Sequence, residues 1–354
     1  QQAVILAKEA LSVPQLTAFE LMSIQRTLAV AALNAKDFDQ ASASLEALLA
    51  QPDIAAPDKR LFLESLIQAR LQKNDHSGVV KWARQYQAEG SSKPAMRLAL
   101  LQSLSLLNAH AELITQMQAW IKQDAGAGQK TSEAELRALA MSYRKLKDAA
   151  GYEATLLQLL ENHPSKAYWA EAITRQAQKP NSNPRFELDM YRLLEDTDNL
   201  EEAAEYTEMV DLALKAGLPA EAQRVMDAGY KKNVLGQTGE AAAHLKLRQH
   251  IAAKVTEDEK LFAPLERAAK DGNSWAAVGD VFLSRQQWDK AQTAYAQALS
   301  LGGLRREAEV SLHQAMALFK SGQLEQCRKM LATIKDDPTA LALANLWRIR
   351  TLTP

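Results

Sequence analysis

Residues 273–300 read NSWAAVGDVFLSRQQWDKAQTAYAQALS. Trp275 is followed by Val278, Gly279 and Phe282. After a short polar link come Ala291, Tyr295 and Ala298. Apolar residues therefore fall at the i, i+3, i+4 and i+7 spacing of a helix face, twice, with one interruption. Gly279 and Ala291 are small enough to let two antiparallel helices approach closely. Trp275, Phe282 and Tyr295 are large enough to fill the space around them. The stretch predicts a tightly packed helical hairpin.

This pattern resembles the tetratricopeptide repeat (TPR), which runs W-x2-L-G-x2-Y and then A-x3-F-x2-A. The late proline of that pattern is missing, and Gly303 stands near its place. Other stretches repeat the pattern less fully. DFDQA (37–41) aligns with QWDKA (287–291), which places Leu28, Ala29 and Ala32 on Val278, Gly279 and Phe282. Ser132 and Glu135 form a capping box ahead of Leu136, Leu139, Ala140 and Tyr143. There Tyr152 falls on the usual small position, so the helices must splay or the register must differ. Ala315, Leu318, Cys327, Leu331 and Ile334 make a further, degenerate copy. The resemblance implies an all-α, right-handed superhelical solenoid of antiparallel helix pairs. About twenty helices are expected, each pair touching only its neighbours. No linker exceeds a few residues, so one array over 1–354 is expected. Its clearest repeats lie near 22–55, 133–164, 272–303 and 308–336, and a capping helix over 337–350 covers its edge.

Composition agrees. The 354 residues are rich in good helix formers and carry 14 glycines and 11 prolines. The formal net charge is −1, which does not suggest a nucleic-acid surface. No apolar run approaches the roughly 20 residues of a membrane span. The single cysteine, Cys327, rules out an intramolecular disulfide and a cysteine-based metal site. It sits where a small packed residue belongs, so a buried apolar thiol is expected.

Candidate chemistry is thin. The segment DAGAGQKT (124–131) contains Gly126, Gly128, Lys130 and Thr131. A phosphate-binding loop needs glycine directly before the lysine and a strand in front. Gln129 breaks the first condition and a helical stretch the second, leaving an inter-repeat loop. The six histidines show no H-E-x-x-H, and His244 and His250 do not share a helix face, so surface or capping roles are expected. No catalytic residues, metal or cofactor are expected, and the chain reads as a non-enzyme.

In TPR arrays the first helix of each pair lines the concave face, where partners bind. The resemblance carries that role to Asn273, Ala276, Asp280 and Leu283; to Ala134, Arg137, Met141 and Arg144; and to Ser23, Arg26, Val30 and Leu33. Arg26, Arg137, Met141, Arg144, Asn273 and Asp280 are the polar and anchoring members of that lining. The Lys, Asn and Arg set of the carboxylate-clamp TPRs is not kept. An extended or helical segment with some acidic character is the expected occupant.

The order of three stretches is similar to one narrower group. They are DFDQA (37–41), NHPSKAYW (162–169) and the closing block from Gly302 to Arg350. The group is the bacterial periplasmic TPR proteins encoded beside TonB–ExbB–ExbD energy-transduction genes. The resemblance covers roughly Gln15 to Arg350 and departs at KPNSNP (179–184). It implies a non-catalytic scaffold or adaptor in the periplasm, with protein or peptide partners and TonB-system components among them. The Gln1-Gln2 start suits a chain left after removal of a signal segment. The alternative is a cytoplasmic TPR regulatory subunit that senses a peptide or partner and controls an enzyme or transcription complex.

Overall fold

The computed structural model describes residues 1–52, 54–237 and 239–352. Among them are nineteen α-helices, one short 3-10 turn and no strand. The all-α reading holds, in the form of helices packed pairwise as in a solenoid. Contacts gather the chain into two units, Gln1–Thr155 and the residues from Leu156 on.

The first unit holds α1 (Gln2–Leu11), α2 (Ala18–Asn34), α3 (Phe38–Leu49) and α4 (Ala56–Gln72). It continues with α5 (His76–Ala88), α6 (Pro94–Leu106), α7 (His110–Gly126), α8 (Glu133–Lys145) and the start of α9 (Ala149–Asn162). Successive helices pack on one another, and α4 with α6 and α6 with α8 also touch. Leu63, Leu66, Ile67, Trp82, Tyr86, Leu100 and Leu104 form one buried ribbon between them. Their apolar periodicity is the reason these segments are helices here, because isolated helices of this length are marginal in water.

The helical hairpins share one turn. Asp37, Asp75, Ala109, Asp148, Leu218, Gln287 and Gln323 each donate a backbone N–H to the carbonyl of Ala32, Arg70, Leu104, Tyr143, Ala213, Phe282 and Leu318 in turn. The residue before each donor has positive φ: Lys36, Asn74, Asn108, Lys147, Gly217, Gln286 and Gly322. This is the Schellman closure of a helix C-terminus. It fixes a common register for seven hairpins, including several whose apolar pattern is degenerate. The positions were obscure in sequence because mostly Lys, Asn and Gln, rather than Gly, take the left-handed conformation.

A glycine against a tyrosine ring recurs at different positions of two hairpins. Gly279 on the first helix of its hairpin faces Tyr295, and a Cβ there would lie 2.5 Å from the tyrosine ring. In the hairpin of α8 and α9 the tyrosine is Tyr143 on the first helix, and Gly151 faces it on the second. The shared turn keeps Tyr152 in register with Ala291, four residues after the turn donor, and Gly151, one residue earlier, is what lets the Tyr143 ring lie against the second helix. Replacing Gly279 by Leu is expected to cost about 1–3 kcal/mol, because the tyrosine and its helix must move. A urea melt with unchanged midpoint would reject this packing. Trp275 is only half-buried, whereas Val278, Phe282 and Tyr295 are buried. Truncating Trp275 therefore removes less buried surface than its place in the repeat pattern suggests.

The second unit holds the rest of α9, α10 (Lys166–Ala177), α11 (Glu187–Asp196), α12 (Ala203–Lys215) and α13 (Pro219–Lys231). Then come α14 (Ala241–Ala268), α15 (Gly272–Ser284), α16 (Trp288–Leu301), α17 (Glu307–Lys320), α18 (Leu324–Leu331) and α19 (Pro338–Arg350). α14 is a single long helix without a break. Its residues Thr256–Lys260 hold no Gly or Pro, and Pro264 falls only in its last part. The DAGAGQKT loop is shorter than expected, since α7 continues to Gly126. Asp124 is buried there and accepts 3.0 and 2.8 Å bonds from Arg97.

The second unit departs from nearest-neighbour packing. α19 packs on α11 as well as on α17 and α18. Asn183 bonds Asp337 and Thr339 at 3.0 and 2.9 Å, and the Nε of Arg350 reaches Asp196 at 2.7 Å. Arg348 pairs with Glu161, and Lys320 with Asp196. The closing helices thus fold back on the opening helices of this unit.

Candidate functional site

This return brings charged side chains into the interior of the second unit. On α11, Asp189 and Arg192 lie one helical turn apart, and both are buried. Arg192 donates to Glu221 of α13 at 2.9 and 2.6 Å and to Asp189 at 2.8 Å. The Nε2 of His313 on α17 lies 3.0 Å from Asp189, and its Nδ1 lies 2.7 Å from Asp280 on α15. Tyr295 of α16 donates to the same Asp280 oxygen at 2.7 Å. Five helices are joined by one chain of charge-assisted hydrogen bonds, which are the stronger kind.

Each charge depends on the next. Burial disfavours charge on His313, but Asp189 and Asp280 on its two sides outweigh that and raise it to about 10. Burial alone would raise Asp189, yet His313 and Arg192 hold it below the ordinary carboxylate range. Glu221 is likewise lowered, because Arg192 and Arg224 overcome its burial. Burial and the Asp280 carboxylate push Tyr295 well above the usual phenol range. An imidazole held as a cation near neutral pH has no free lone pair with which to act as a base. Cys327 is fully buried, and burial pushes its thiol up to about 11, far from a reactive thiolate.

The cluster borders a cavity of about 250 Å³ where α11, α13, α15, α17 and α19 converge. Leu283, Met316, Trp288 and Trp347 supply apolar wall. Arg192, Arg224 and Lys320 alternate with Glu195, Asp196 and Glu221 around the rest. A second hollow of about 440 Å³ shares Arg224, Ser284 and Gln286 with it and continues over the turn between α15 and α16.

Of the six residues expected to line a partner face, four lie in the first unit and two in the second. Arg26 is half-buried, pairs with Asp58 of α4 at 2.5 Å and stacks 5.2 Å above the Phe62 ring. Arg137, Met141 and Arg144 are exposed along one side of α8, with an Arg144 nitrogen 2.9 Å from the Met141 sulfur. Asn273 holds the link between α16 and α17, donating to the Gly303 carbonyl and accepting from the Arg305 N–H, both at 3.0 Å. Asp280 belongs to the ion cluster. Asn273 and Asp280 do share the lining of one hollow of about 240 Å³, with Arg305, Arg306 and Glu309.

The cluster itself went unread in sequence. His110, His244 and His313 are buried, contrary to the surface or capping roles expected. A signal existed in ELDMYRLLED (187–196), where Asp189 and Arg192, one helical turn apart, sit among Leu188, Met190 and Leu193. Among the described residues no group of three His, Cys, Asp or Glu side chains is placed to hold a metal ion. Among them, too, no helix is long and apolar enough to cross a membrane.

Residues 136–166 match the tetratricopeptide repeat family. The match covers α8 from Leu136 on, all of α9 and the first residue of α10, and so includes the contact of Tyr143 with Gly151. No curated protein sequence matches the chain. A crystal structure of a tetratricopeptide repeat protein from Parabacteroides merdae ATCC 43184 is similar over 84% of this chain and 99% of that one. The identity is 13% and the TM-score 0.37.

Proposed function

We propose that this chain is a non-catalytic scaffold that binds a protein or peptide partner. The observation that carries the proposal is the recurrence of one helical hairpin with one closing turn, the arrangement of repeat proteins that present extended binding surfaces. The ionisable groups of the interior support the same reading, because each is committed to a neighbouring helix. The order of DFDQA, NHPSKAYW and the closing block supports a narrower form, in which the partner is a component of a TonB-type envelope system met in the periplasm.

Crosslinking and mass spectrometry from native cells test the proposal, with crosslinked residues mapped on the chain. Arg137, Met141 and Arg144 are the expected sites in the first unit. Reversing both arginines to glutamate should weaken the crosslinked partner by more than about 1 kcal/mol if they are desolvated in the complex, with helicity unchanged. Equal affinity would remove α8 from the interface. Reproducible failure to crosslink any protein would count against the scaffold reading as a whole.

A further inference from the structure

The geometry points to a specific docking groove in the second unit: the paired hollows beside α15 and α16 take an extended segment of a partner protein, with an aromatic side chain in the inner hollow and a basic side chain over the outer one. This rests on the scaffold reading and adds the chemistry of the segment bound.

The inner hollow selects a neutral, flat side chain. Its volume of about 250 Å³ exceeds the roughly 150 Å³ of a cavity known to hold benzene, so an indole or phenol ring fits. Indole rings of Trp288 and Trp347 and the Met316 thioether are on its wall, and these are surfaces on which an aromatic ring packs well. The charged residues around it offer no net charge. Arg192 is bonded to Glu221, Arg224 to Glu195, and Lys320 to Asp196. A charged side chain entering there would lose water and find each opposite charge already taken, which disfavours it.

The outer hollow differs by one charge. Arg285 pairs with Asp258 at 2.6 Å and stacks 4.3 Å from the Phe262 ring, and Arg224 is held by Glu195. Glu259 lines this hollow, is exposed, and among the described residues has no ion-pair partner. The hollow therefore carries one uncompensated carboxylate, which favours a lysine or arginine on the incoming segment. Gln286 and Gln287 lie beside it and can bond the backbone of an extended chain.

The test uses short blocked peptides that pair one tryptophan with one lysine at varied spacing, titrated into the full chain. Binding is read from the indole N–H resonances of Trp288 and Trp347. At least one spacing should bind saturably and shift these resonances. Changing its tryptophan to alanine should weaken it by at least about tenfold. Changing its lysine to glutamate should weaken it by about threefold to fivefold, the range of an exposed ion pair. Glu259→Lys lies on the surface and should leave folding intact while reversing the preference, so that the glutamate peptide binds better. No binding at any spacing, binding indifferent to the tryptophan, or an unchanged lysine preference in Glu259→Lys would each overturn the groove. If crosslinks from cells still join a protein to the chain away from these helices, the scaffold reading survives that failure.

Discussion

Arg192→Ala is expected to lower the stability of the second unit by about 3–5 kcal/mol, the usual cost of removing one member of a buried ion group. Arg192 is bonded to both Asp189 and Glu221, and all three are buried. Without it, Glu221 keeps only Arg224, 3.8 Å away, and Asp189 keeps only His313. Urea melts should show the midpoint fall, and hydrogen exchange should place the loss in α11, α13 and α17. A double change, Arg192→Met with Glu221→Met, separates charge from packing. It removes a pair of opposite charges together and leaves Asp189 with His313 and Arg224 with Glu195. The double variant should be clearly more stable than Arg192→Ala. Equal losses would mean that packing, not charge, is what Arg192 contributes.

Alkaline pH should weaken the same unit through His313. Its folded value, about 10, lies above the ordinary 6.5 expected in the unfolded chain. The folded state therefore holds the proton more tightly. The contribution is complete below pH 6.5 and is lost progressively as pH rises toward about 10. On the acid side the signs reverse. Asp189 and Glu221 are lowered in the folded state, so their contribution is complete above their ordinary values and is lost as pH falls through the folded ones. Thermal melts from pH 6 to 10 compare the native chain with His313→Gln. Glutamine keeps a hydrogen-bonding side chain but does not titrate. The native chain should lose much of its advantage over the variant across that range. Ionisation of Cys327 affects both proteins alike and cancels in the difference. Parallel curves would show that the imidazole is neutral in its place between the two carboxylates.

The sequence by itself determined most of the helices and their pairing into hairpins. The hairpin of Gly279 and Tyr295 was legible because small and large apolar residues at helical spacing leave few other packings. The burial of Ala291, Ala298, Cys327 and Leu331 followed from the same spacing. Local rules reached as far as one hairpin and its neighbour, since a helix face repeats within a few turns. They did not show that Gly151, one residue before the usual small position, is what receives the Tyr143 ring. Nor did they show that Asn273 and Asp280 are used internally. Only the tertiary structure decided that α17 and α19 return to α11, and so brought Asp189 and Arg192 to His313 across more than a hundred residues of chain. Charge pairs at that separation leave no period in the sequence. What holds them together is that each would be costly to bury alone, and that condition is met only once all five helices are in place.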